Sequence, residues 1–413
     1  MATLRAETPN RRSFLQAGGV AAGALALPIS GKSQDGAKAA DAPVIPKRKL
    51  GNTGVEVTML EQGAIRGSSV DRVLRFSFQQ GVRVFDTAKA YGTEPSFKKW
   101  FEQEPEVRKQ IFLVTKDMPK TPSQLLTMVD ERLEALNTDY IDLLFIHGLG
   151  DEHSLDDCIN MVKGKELKET ADAIRKSGKA RFIGFSSHHK DRAPIMQAAA
   201  EGGIIDAIML QYRPWLDKDS ALNKAIDACW KKGIGLISMK QIAGQFYGDK
   251  PEGNILDDVQ KRVPTLKEKN LSPFQGLLHA IWTDERISTI CVSMRNTDQI
   301  RENVEAAKRF EPLKEADIRK LRDASIAHGQ TLCADCDGRC SHAAGTLAEL
   351  GNLTRYLTYH QQLGDRAEAR RLYAALSQEG RNWTGADLTA ARDACPNKLD
   401  FAALLAKVER HLA

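Results

Sequence analysis

Eight short apolar runs recur along the 413-residue chain with amphipathic stretches between them, and this recurrence restricts the fold more than any other feature. The runs cover residues 57–60, 82–85, 111–114, 141–146, 182–185, 205–210, 234–239 and 287–292. Most are near-continuous in apolar residues rather than alternating, the pattern of parallel strands covered on both faces. Helical spacing fills the intervals, for example over residues 123–135, 165–177 and 220–231, with Pro122 and Gly233 as punctuation. Eight strand–helix units close naturally into a (β/α)8 TIM barrel. The expected architecture is α/β: a barrel over residues 47–328 and a small, mostly helical domain over residues 329–413.

Composition narrows the function classes. A hydrophobic content of 42% is ordinary for a globular chain that buries a large core. The formal charge of +5 is spread through the sequence, so neither nucleic acid nor another polyanion is an expected partner. Seven cysteines are too few for a disulfide framework at this length. Four of them nevertheless fall at or beyond Cys333, and that clustering requires a local cause.

The first residues read as an address. Asn10-Arg11-Arg12-Ser13-Phe14-Leu15-Gln16 precedes a Gly/Ala-rich apolar stretch over residues 17–29, too short to span a bilayer comfortably. The segment resembles a twin-arginine signal peptide, which implies the twin-arginine export machinery as a partner, a periplasmic or otherwise exported location, and no membrane span in the mature protein. Cleavage after Ala26 or after Ala39 fits equally. Residues 31–46 are poor in large apolar side chains and read as a linker, which makes residues 1–46 signal and linker together.

Reactive groups of a barrel sit at the carboxyl ends of its strands. Asp86, Lys116 and His147 each follow an apolar run, and Tyr91 lies in the loop after Asp86. The stretches FDTAKAYG, FLVTKD and DLLFIHG that carry them resemble the aldo/keto reductase family. That resemblance implies an oxidoreductase interconverting a carbonyl and an alcohol of a small molecule. In it Tyr91 is the general acid, Lys116 stabilises its conjugate base, Asp86 holds Lys116, and His147 orients the carbonyl. The logic is chemical: a phenol with an ordinary pKa of about 10 is a poor proton donor unless its phenolate is stabilised.

The same resemblance implies NADP, or NAD, as cofactor. Ser186 and Gln211 match positions that meet the nicotinamide. Arg295 and Asn296 match positions near the ribose phosphate, and Glu302 and Asn303 match positions at the adenine. A helix beginning there suits an anion. Ser187 replaces an asparagine, Ser293 and Gln299 stand at positions often basic in NADPH-specific relatives, and Met239-Lys240 lacks the aromatic residue that stacks on the nicotinamide.

Cys333-x2-Cys336-x3-Cys340 brings three thiols onto one turn-rich segment, and Cys395-Pro396 returns a fourth. Thiolates in that number suit an iron–sulfur cluster. The tail resembles the ferredoxin-like extension of some bacterial aldo/keto reductases, and it has cysteines for one 4Fe-4S cluster only. A four-cysteine zinc site uses the same ligands, although usually as two CxxC pairs. Disulfides, or His342 in place of one cysteine, are further alternatives. Cys158, Cys229 and Cys291 read as small buried hydrophobes. A rival function is an exported electron-transfer or redox-responsive binding protein that keeps the barrel as a scaffold and meets an electron-transfer partner.

Overall fold

The computed structural model describes residues 44–64, 69–150, 153–187, 189, 191–216, 218–241, 255–327, 338–361, 366–395 and 398–413. The signal segment, Cys333, Cys336 and the mouth segment 242–254 therefore lie outside the described residues.

Two strands, β1 (Lys47–Lys49) and β2 (Glu56–Thr58), pair antiparallel with Arg48 opposite Val57. Eight more run parallel: β3 (Leu60–Gln62), β4 (Val84–Asp86), β5 (Phe112–Asp117), β6 (Ile141–Ile146), β7 (Ala180–Ser187), β8 (Ala207–Gln211), β9 (Gly235–Met239) and β10 (Ile287–Val292). They pair in sequence order, and β10 returns to β3, closing the (β/α)8 barrel.

The expectation of a single first strand over residues 57–60 is corrected. Val57 ends in the hairpin and Leu60 begins the barrel, because their side chains serve different cores. Val57 joins Leu50 with the barrel-interior residues Phe112, Phe145 and Ile237, whereas Leu60 packs in the layer between strands and helices. The hairpin floors the barrel at the end where strands start. There Gly51, at φ +52°, approaches so closely that a Cβ would lie 2.1 Å from the Gly233 carbonyl oxygen.

Alternation along each strand sorts side chains between these two cores. Val84, Phe112, Val114, Leu143 and Phe145 face the interior, while Phe85, Leu113, Leu144 and Ile146 face the helices. Continuing the count carries Asp86, Lys116 and His147 to the inside at the carboxyl end. The same count carries Glu61, Ser186, Gln211, Met239 and Cys291 inward.

The helices follow their sequence signals with small shifts. Lys165–Ser177 forms as expected, and Ser220 caps Ala221–Lys231 through a hydrogen bond from the Asn223 amide. The segment expected as one helix from 123 opens as a 3-10 turn, Pro122–Gln124, before Leu125–Leu136. After the barrel, helices Leu350–Gln361, Arg366–Ala375 and Phe401–Leu412 share a core built on Leu353, Leu357, Phe401, Leu405 and Val408. Three short helices, Arg339–Ala343, Gln378–Arg381 and Leu388–Ala394, had no sequence signal, since one or two turns display no period. No helix among the described residues is long and apolar enough to cross a membrane.

Candidate active site

Asp86, Tyr91, Lys116 and His147 meet at the carboxyl end of the barrel. Asp86 closes β4, Lys116 lies in β5 one register step away, and His147 follows β6 directly. Tyr91 ends a 3-10 turn, Lys89–Tyr91, which is tethered outward by a 2.9 Å contact between Lys89 Nζ and Glu131. Lys116 Nζ donates to the Asp86 carboxylate and, at 3.1 Å, to the Thr87 carbonyl. It stands 5.1 Å from the centre of the Tyr91 ring. The Tyr91 hydroxyl lies 3.3 Å from His147 Nε2, with the two rings edge-on at 5.3 Å.

Burial and charge set the protonation states. Burial lifts Tyr91 to about 12, against the pull of the Lys116 ammonium and with help from the Asp86 charge. The lysine therefore moderates Tyr91 without bringing it below its ordinary value. Burial also works against the Lys116 charge, but the neighbouring Asp86 and Tyr91 outweigh it and hold the ammonium charged above its usual range. His147 is pushed down to about 3, first by burial and then by Lys116 and Lys240, so its imidazole is neutral.

Sequence reading missed Glu61. It sits on β3, fully buried, with the Cys291 thiol of β10 as its side-chain hydrogen-bonding neighbour. An oxygen of Glu61, an oxygen of Asp86 and the Cys291 sulfur lie within 4.8 Å of one another. Burial first, and the Asp86 charge second, push Glu61 well above the usual carboxylate range. Lys116 balances one negative charge, and Glu61 is the carboxyl that keeps its proton. Cys291 is thus corrected from an isolated small hydrophobe to a member of this polar layer, with its thiol raised by burial and by Glu61. Strand parity was the signal that could have found both.

A test follows from linkage. Because the folded-state pKa of Glu61 exceeds its unfolded value, its contribution to stability is complete below the unfolded value and is lost as pH rises through the folded one. Glu61→Gln should raise the thermal midpoint by several degrees at about pH 9 and much less at about pH 5, read by calorimetry. A larger gain at the acidic pH would mean that Glu61 is ionised in the fold.

The remaining sequence-predicted positions divide. Ser186 and Gln211 are buried at the mouth ends of β7 and β8, and the Ser186 hydroxyl accepts from the Gly148 amide at 3.1 Å. Asn296 caps helix Thr297–Lys308, accepting from the Asp298 and Gln299 amides, with Arg295 exposed beside it. Glu302 accepts from the Ser272 hydroxyl at 2.5 Å, within the capping network of helix Pro273–Trp282, and Asn303 is buried. Of the four tail cysteines, Cys340 and Cys395 are described, and both are buried in the C-terminal core.

A closed parallel barrel with a lysine–tyrosine–histidine–aspartate cluster at its mouth is matched by a family model. The model described as the aldo/keto reductase family covers residues 57–326. The chain belongs to the aldo/keto reductase family. It is accordingly an oxidoreductase acting on carbonyl or alcohol groups. Residues 8–28 match the twin-arginine translocation pathway signal sequence, which marks the protein for export by that route.

Relatives are moderately distant. An L-galactose dehydrogenase of Arabidopsis thaliana is 28% identical over 294 residues, covering 65% of this chain and 90% of its own. An aldo-keto reductase of Schizosaccharomyces pombe whose name carries NADP(+) is 26% identical over 275 residues, covering 59% and 75% respectively. An aldo-keto reductase from Bacillus halodurans in its holo form superposes with a TM-score of 0.52 at 20% identity, over 68% of this chain and 96% of that one, a likeness of fold.

Proposed function

We propose that this exported aldo/keto reductase reduces the carbonyl of a small molecule with NADPH, using Tyr91 as proton donor, and that its C-terminal domain, residues 329–413, holds one 4Fe-4S cluster. The observation that carries the reaction is the convergence of Lys116, Tyr91 and His147 on one spot at the barrel mouth.

The residues fit a nicotinamide nucleotide. Ser186 and Gln211 present polar groups at the inner rim for the nicotinamide carboxamide. Arg295 and Asn296, at a helix start, would face the ribose phosphate. Glu302 and Asn303 are the weaker half of the adenosine assignment, because Glu302 is already engaged by Ser272. The name of the Schizosaccharomyces pombe relative and the exposed Arg295 favour NADP over NAD. When bound, the cofactor supplies hydride to the carbonyl carbon. The chain does the rest. His147, neutral and 3.3 Å from the Tyr91 hydroxyl, orients the carbonyl oxygen. Tyr91 gives that oxygen a proton, Lys116 stabilises the resulting phenolate, and Asp86 holds Lys116 in place.

Cys340 and Cys395 fit a cluster insofar as both thiols occupy one core. With Cys333 and Cys336 they make four soft ligands, and insertion before folded export would protect them from oxidation. The cluster would serve the fold or pass electrons to a partner. Outside the cytoplasm no nicotinamide pool is replenished, so the nucleotide travels with the folded protein and is recycled in place by paired substrates.

Anaerobic purification of the full-length protein tests the whole reading in one sample. About four iron and four sulfide per chain, nicotinamide released on denaturation, and NADPH oxidation by added aldehydes are the expected results. Stoichiometric zinc without iron would replace the cluster, and absence of both bound nucleotide and aldehyde reduction would overturn the reductase reading.

A further inference from the structure

Two carboxyls and one ammonium share the inner layer of the barrel mouth, and strand register holds them there. On β3, Leu60 packs toward the helices and Gln62 accepts from Ser77 of helix Val70–Gln79, so Glu61 between them points inside. Glu61 pairs in register with Cys291 on one side and with Val84, two residues before Asp86, on the other. An oxygen of Glu61 thus comes within 4.8 Å of an Asp86 oxygen and of the Cys291 sulfur. The charged and titratable groups that act on Glu61 are Asp86 of β4, Lys116 of β5 and the Cys291 thiol of β10. Lys116 in turn faces the Tyr91 ring. Around that ring, Lys240 acts on His147, and Tyr359 acts on Tyr91. Tyr359 belongs to the buried helix Leu350–Gln361 and accepts a hydrogen bond from Lys240.

We propose that Glu61 is a positioning residue for the proton transfer at Tyr91: as a neutral partner of Asp86 it leaves the Lys116 ammonium to the phenolate, and as an anion it claims part of that charge for itself. Glu61 neither gives nor takes the reacting proton. The reason is charge balance. Lys116 is bonded to Asp86, and one ammonium cannot balance Asp86, a second buried carboxylate and a phenolate together. Carboxyls this close in a dry site hold one proton between them, and burial together with the Asp86 charge assigns it to Glu61. The arrangement favours reduction. Once Glu61 ionises at alkaline pH, the phenolate that alcohol oxidation needs becomes harder to form, whereas a permanently neutral residue at this position removes that brake.

This inference rests on the proposed role of Tyr91 as proton donor, and separate readouts keep the two apart. In the full-length protein purified with its cofactors, Tyr91 ionisation is followed by phenolate absorbance in stopped-flow jumps to between about pH 9 and about pH 12. Tyr91→Phe in each background subtracts the other tyrosines. Glu61→Gln and Glu61→Leu should both ionise Tyr91 about one pH unit lower than the wild type, giving about tenfold more phenolate at a given pH. Glu61→Asp, which restores a carboxyl, should return part of the difference. The infrared difference between wild type and Glu61→Gln at neutral pH should show the carbonyl band of a protonated carboxyl. In NADP-linked alcohol oxidation the alkaline limb should move with the titration, while a purely structural role lowers the rate at every pH and leaves the limb in place. An active enzyme whose Tyr91 titration is unmoved in both variants, or whose infrared difference shows a carboxylate instead, overturns this inference alone. A wild type that titrates as expected yet turns over none of a panel of aldehydes and alcohols removes the reductase reading, and the role of Glu61 in the reaction falls with it.

Discussion

Tyr91→Phe is expected to lower kcat for carbonyl reduction by about 10²–10⁴-fold with little change in KM, because it removes the proton and leaves the ring and its neighbours in place. Lys116→Met should be at least as damaging, since it withdraws the charge that, among the described residues, stabilises the Tyr91 phenolate and balances the buried Asp86. The sign of the pH dependence follows from the burial of Tyr91, whose pKa, pushed up to about 12, keeps it protonated at neutral pH. Reduction needs the phenol and should run well at neutral pH. Alcohol oxidation needs the phenolate and should rise steadily toward alkaline pH. His147, already neutral above about 3, should contribute no limb between these regimes. Steady-state profiles in both directions decide the matter: wild-type activity in Tyr91→Phe, or a limb near pH 6 that disappears in His147→Gln, contradicts the assignment.

Arg132→Leu should destabilise the protein by about 3–5 kcal/mol, the expected loss when one partner of a buried ionic network is removed. Arg132 bonds Glu94 at 2.6 Å and lies 3.3 Å from Asp117, with all three side chains almost wholly buried. Glu94 also accepts from the Thr115 hydroxyl at 2.8 Å. Thr115 and Asp117 flank Lys116 on β5 and face the helices, so this network fixes the outward face of the strand whose inward face carries Lys116. Burial already lifts the Glu94 pKa against the pull of Thr115 and Arg132. Without the guanidinium it rises further, so the loss should be larger at about pH 8 than at about pH 5. Urea denaturation of the two proteins at both pH values measures this. The double variant Arg132→Leu/Glu94→Leu should recover part of the loss, because an apolar pair leaves fewer uncompensated charges.

Much of the site was readable before any coordinates. Strand ends are visible as a polar residue after an apolar run, and Asp86, Lys116 and His147 each stand there. Glu61 was not noticed because its strand is three residues long and the hairpin residues before it extend the apolar pattern, hiding where the barrel begins. The positions assigned to the nucleotide also have structural duties that a one-dimensional pattern does not display: Asn296 caps a helix, and Glu302 accepts from the capping Ser272.

The sequence by itself determined the number of barrel strands, which residues face inward, and the residue types of the proposed reactive quartet, because those properties depend on alternation and on residues close in the chain. Only the tertiary structure decided that Glu61 and Cys291 adjoin Asp86, and that Tyr359 meets Lys240. Those neighbours are far apart in sequence, and they meet because β10 closes on β3 and because a buried polar helix seats itself at the mouth. No local propensity encodes either event, since both are set by how complete elements pack.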